Sequence, residues 1–163
     1  MSTILAMKKR FEALDPDLVI YQVMKDNEND LNDLNLEQLY SGKTNKGEDI
    51  HPSYLEDPYW NDKGGLQAAQ RYSDWKDRIT PSSRRNPGTP NLFINGYYHS
   101  RRFTTIVPGG TIVHSDGASF GKDIQQKYKD IDGLGGEFKK IFLETYIQPV
   151  LNDKIEQALG LKM

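Results

Sequence analysis

Between Arg102 and Ser115 polar and apolar side chains alternate with period two on either side of Pro108-Gly109-Gly110, which predicts an antiparallel β-hairpin. Phe103, Thr105 and Val107 fall on one face of its first strand, and Arg102, Thr104 and Ile106 on the other. The second strand sets Thr111, Val113 and Ser115 against Ile112 and His114. Large apolar groups on both faces imply cover on both sides. That cover is either the protein's own helices or a neighbouring subunit.

Around the hairpin the spacing turns helical. Ser2 or Thr3 can cap a first helix carrying Ile4, Leu5, Phe11 and Leu14, and Asp15-Pro16 supplies an N-cap with proline at the first helical position of a second, which carries Leu18, Val19, Tyr21 and Met24. Lys25 to Asp33, KDNENDLND, reads as a solvated polar stretch, before Leu34, Leu36, Leu39 and Tyr40 restore an apolar pattern. Ser41 to Asp49 is a turn-rich loop. Ile50 to Pro90 contains Pro52, Pro58, Pro81, Pro87 and Pro90, with one helix expected from about Leu66 to Ile79. Its remaining backbone has few partners of its own, so it is expected to be mobile in an isolated subunit and ordered by contacts from outside. A short helix is expected over 119–129 and a long one from about Glu137 to Leu159, kinked or restarted at Pro149 and stopped by Gly160. The fold class that follows is α+β, a small antiparallel hairpin or sheet flanked by N- and C-terminal helices, in one domain with a loop-rich insertion at about 50–90.

Length and composition narrow the function classes. A chain of 163 residues with an apolar fraction of 36% suits one core of ordinary size. Its net charge of −2 argues against general polyanion binding, which requires many phosphates to be neutralised. The absence of cysteine excludes disulfides and thiolate metal sites. No stretch approaches the roughly 18 to 20 apolar residues of a membrane span, and the N-terminus lacks the apolar run of a signal peptide, so no membrane partner is expected.

The candidate chemistry is thin. His51, His99 and His114 with Asp49 or Asp116 lack the helical spacing of a zinc motif, and Asp26 to Asp33 lacks the glycine and closing glutamate of a calcium loop. Gly133-Leu134-Gly135-Gly136 could cradle a phosphate, but without a following Lys-Ser/Thr it reads as a flexible hinge. Glu56-Asp57 beside Trp60 is the most hydrolase-like cluster, although adjacent loop carboxyls do not by themselves face one cleft. Lys8-Lys9-Arg10, Arg84-Arg85 and Arg101-Arg102 read as interface contacts in preference to a DNA-facing lumen. No catalytic residue, cofactor or metal is assigned.

Gln38-Leu39-Tyr40-Ser41-Gly42, then Asn45 to Ile50 with Tyr54, then Leu92-Phe93-Ile94-Asn95-Gly96-Tyr97-Tyr98 and the two strands form an ordered series. That series resembles small bacteriophage proteins of the virion-morphogenesis and tail-completion (head-tail connector) kind. The family more often has threonine where this chain has Asn95. The resemblance implies a structural virion protein, made in the host cytoplasm and carried in the virion. It would be a homo-oligomeric ring of six or twelve copies at the head-tail neck or in the tail, contacting portal, neck or tail subunits, with DNA passing through the lumen. Tyr54, Tyr59, Trp60 and Trp75, together with Arg101, Arg102, Phe103, Ile106 and Ile112, are the residues expected at subunit contacts. Two other readings stay open. One is a nucleic-acid-binding module using the arginine pairs with Tyr97, Tyr98 and Phe103; the other is a cell-wall hydrolase using Glu56 and Asp57.

Overall fold

The computed structural model describes residues 3–114 and 121–161. The chain is an α+β protein in which, among the described residues, helices flank one two-stranded antiparallel hairpin. The N-terminal helices are α1 (Thr3–Glu12), α2 (Pro16–Asp26) and α3 (Glu28–Tyr40). After a turn-rich segment, a 3-10 turn at Pro58–Trp60 precedes α4 (Gly65–Ile79). The short α5 (Tyr97–Ser100) leads into β1 (Phe103–Val107) and β2 (Gly110–His114). The chain closes with α6 (Gly121–Lys127), α7 (Gly136–Phe142) and α8 (Gln148–Leu159). Ser2, Ser115, Asp116 and Ser119, which entered the expectations above, lie outside the described residues.

Local chemistry accounts for the boundaries. The Asp15 side chain accepts from the Leu18 amide at 3.1 Å, with Pro16 opening α2. KDNENDLND is not a solvated linker: α2 runs to Asp26 and α3 starts at Glu28, with Asn27 alone between them. Asn27 donates its side-chain amide to Val23 O at 2.7 Å, and Glu28 and Asp30 stand in the first turn of α3, where the helix dipole favours negative charge. A wide π turn at Leu143–Ile147 joins α7 to α8 directly ahead of Pro149, whose ring cannot follow a regular helical turn. Gly160, at φ 73°, stops α8 as expected, with Leu161 N bonded back to Glu156 O.

The hairpin pairs Phe103 with His114 and Ile106 with Thr111. Its two faces part company. Arg102, Thr104 and Ile106 are buried against α2 and α3, and Ile106 packs with Val23, Leu31, Phe142 and Ile147 in one of two apolar clusters. The opposite face stays open, with Phe103 51% and Ile112 48% exposed. Ile106 and Arg102, expected at a subunit contact, therefore belong to the interior. The second cluster joins Leu39, Ile50, Tyr98, Tyr128 and Ile131.

Ile50 to Pro90 finds its partners inside the chain, which corrects the expectation that its order must come from outside. Tyr54 N bonds to Gly88 O at 2.9 Å and the Asn86 side chain donates to Asp49 at 2.6 Å. Arg85 pairs with Asp77 at 2.8 Å and donates to Thr80 O at 2.9 Å.

The glycine run at 133–136 is neither hinge nor phosphate cradle. Gly133 O accepts the side-chain amides of Asn35 and Gln38, both at 2.9 Å, and Gly135 N donates to Gln38 Oε1 at 2.7 Å. A Cβ on Gly135 would lie 1.8 Å from Asn45 O, so only glycine lets these two backbones touch.

Candidate functional site

Three of the expected contact aromatics meet at Tyr72, one helical turn before Trp75 on α4, and the fourth, Tyr59, joins them through Trp60. Tyr54 meets Tyr72 edge-on at 5.1 Å, Trp60 lies 5.3 Å from Tyr72, and Trp75 lies 5.5 Å from it, while Tyr59 stands edge-on to Trp60 at 5.0 Å. Tyr54 is buried at the base of this ladder, and Tyr59 and Trp75 reach its exposed ends. These residues are first an internal clamp holding the 3-10 turn on α4. Burial pushes the hydroxyl pKa of Tyr54 and of Tyr72 upward, so both stay protonated.

Arg102 and Arg101, adjacent in sequence, have opposite fates. Arg102 is 2% exposed and spends its guanidinium on Asn35 Oδ1 at 3.2 Å, the Tyr98 hydroxyl at 3.1 Å, and Ile131 O and Asp132 Oδ1 at 2.7 Å each. Arg101 is exposed and lies 5.2 Å over the Tyr97 ring. Phe103 stacks on its cross-strand partner His114 at 4.5 Å. A stacking surface for bases would thus lose Arg102 and Tyr98, both buried, and keep Arg101, Tyr97 and Phe103.

The histidines are not gathered. His51 faces Glu56 at 3.2 Å, His99 is buried against Phe93 and Tyr98, and His114 sits on the hairpin. Among the described residues no three His, Asp or Glu side chains form a metal-sized group. The carboxyls of the hydrolase reading are engaged locally. Glu56 accepts from Ser53 N and Oγ at 3.0 and 2.8 Å, bonds that hold its pKa down, whereas a general acid needs it raised. Asp57 caps the 3-10 turn through Tyr59 N and pairs with Lys127. Among the described residues no helix is long and apolar enough to cross a membrane.

Sequence reading missed a cleft of about 520 Å³ between α4, the turn at 90–96, α5 and α6. Its wall includes Tyr54, Tyr72, Tyr98 and Tyr128 with Leu92, Ile94 and Ile124. It carries two lysines, Lys76 and Lys127, and no acidic residue. The only signal for it in the sequence is the density of tyrosines in segments too far apart to be read as one site. No family model, curated protein or solved structure matches this chain.

Proposed function

We propose that this protein is a structural subunit of a tailed-bacteriophage virion, closing by head-to-tail contacts into a ring at the head-tail junction or in the tail. One observation supports an assembly role above the others: large apolar side chains are left outside the core on several elements, α1 and the hairpin among them. Helix α1 packs on α8 yet leaves Ile4 78% exposed, with Phe11 also exposed, and the hairpin presents Phe103 and Ile112 on its open face. Two distinct apolar surfaces on one subunit are what a heterologous, ring-closing contact uses. The exposed ends of the aromatic ladder, Tyr59 and Trp75, and Arg101 are further contact candidates. Portal, neck or tail proteins are the partners this reading implies, and the copy number, six or twelve, is read from particle mass.

The test is native mass spectrometry with negative-stain microscopy on the purified chain. Rings that fall to monomers in Ile112→Asp support the reading. A wild-type chain that stays monomeric at high concentration and fails to bind portal or tail proteins refutes it.

A further inference from the structure

The cleft beside α4 has its own chemistry, independent of ring assembly. Its volume of about 520 Å³ falls in the range of small-molecule sites, roughly 300 to 1,000 Å³. Its walls are rich in aromatic rings, which receive planar groups by stacking or edge contacts. Lys76, 1% exposed, forms part of the lining.

Lys76 is unusually short of partners for a buried cation. Its Nζ donates to Phe93 O, which uses one of the three donors of an ammonium. No carboxylate among the described residues pairs with it, because the adjacent Asp77 is committed to Arg85 at 2.8 Å. Lys127 at the same cleft is engaged by Asp57 and lies 5.4 Å over the Tyr128 ring. A buried charge is ordinarily paired, and the missing partner here is an anion.

We propose that this cleft binds a small aromatic acid, its carboxylate or sulfonate meeting the Lys76 ammonium and its ring lying among Tyr54, Tyr72, Tyr98 and Tyr128. Burial, with a contribution from Arg85, lowers the Lys76 pKa to about 8, so its charge is under-compensated until an anion arrives. Acid-free walls give the cleft its preference for an anion over a cation.

A matched probe pair tests this: anilinonaphthalene sulfonate, anionic, and phenylnaphthylamine, its neutral analogue, each titrated into the folded chain at neutral pH. Saturable one-to-one binding of the sulfonate is expected, weakened about tenfold or more by Lys76→Met, with the neutral probe changed less than about twofold. Ile94 lines the cleft and is exposed, so Ile94→Glu leaves the fold intact while placing a like charge at the site, and it should weaken the sulfonate alone. That variant decides the matter if Lys76→Met does not fold. No saturable sulfonate binding, equal effects on both probes, or sulfonate binding indifferent to Ile94→Glu would each overturn the assignment. Displacement of the probe by a saturated fatty acid but not by naphthoate would overturn its aromatic part.

Discussion

Among the buried cations of the described residues, Arg102 under the hairpin and Lys76 beside the cleft have opposite surroundings. Arg102 has four acceptors drawn from α3, α5 and the 131–132 segment, and its planar fork fits them together. Lys76 has a single backbone carbonyl. A guanidinium whose acceptors come from segments distant in sequence ties those segments into one fold. An ammonium with one acceptor, buried beside a cleft, costs stability. His99 is flanked by both, and the two cations add to the burial that lowers its pKa to about 4.

The largest loss of stability is expected at Arg102. Arg102→Met should cost about 3–5 kcal/mol, since it strands Asn35 Oδ1 and Ile131 O in the interior, and Arg102→Lys should recover little because a point charge cannot span the same acceptors. Urea unfolding midpoints measure both. A loss below about 1 kcal/mol would mean that the guanidinium is not a tie between segments.

His99 comes next. Its folded pKa lies below its ordinary 6.5, so its stabilising contribution is present above pH 6.5 and lost as pH falls through about 4, by up to about 3 kcal/mol. Neither ring nitrogen has a hydrogen-bond partner among the described residues, so protonation has nothing local to repay it. His99→Phe should flatten thermal stability between pH 6.5 and 4. An unchanged acid limb in that variant would assign acid lability to other groups.

Lys76 gives a smaller effect of the same sign at the other end of the scale. Its pKa is about 8 in the fold and 10.5 ordinarily, so the unfolded chain binds more protons between these values and stability rises with pH there. The gain is up to about 2 kcal/mol between pH 8 and 9.5. Tyr54, Tyr72 and Tyr128, whose folded pKa values are raised, oppose it only as pH approaches 10. His99, with its pKa lowered to about 4, stays neutral in that window, and Arg85 and Asp77, paired at 2.8 Å, are the other charged groups beside Lys76. Lys76→Met should abolish the rise, and saturating aromatic sulfonate should suppress it by holding the amine charged.

How much of this was legible in the sequence differs between the same two regions. Period-two alternation places Arg102 on the face of Ile106, and the structure keeps that register, with the Asp15 cap, the helix near Leu66–Ile79 and the Gly160 stop. What alternation cannot say is which face is buried. Arginine reads as a surface residue by default, and the acceptors that sink Arg102 lie 67, 4, 29 and 30 positions away along the chain. The buried roles of Asn35 and Gln38 escaped notice for the same reason, since polar residues on a helix look solvated until a loop such as 133–135 arrives to use them. The cleft was illegible because its tyrosines come from four separate stretches of sequence.

The smallest effect on the monomer is expected where the effect on assembly is largest. Ile106 and Ile112 both sit in the hairpin, on adjacent strands, yet one is 3% and the other 48% exposed. Ile106→Asp would bury an unpaired carboxylate among Val23, Leu31 and Phe142 and should unfold the chain outright. Ile112→Asp meets solvent in the isolated subunit, so it should change monomer stability by no more than about 1 kcal/mol, the span of strand propensities. If that face lies in a ring contact, the same aspartate becomes desolvated on assembly, and rings should vanish while the melting curve of the monomer barely moves. Rings that survive Ile112→Asp would clear the hairpin and move the contact to α1, where Ile4→Asp is the corresponding probe.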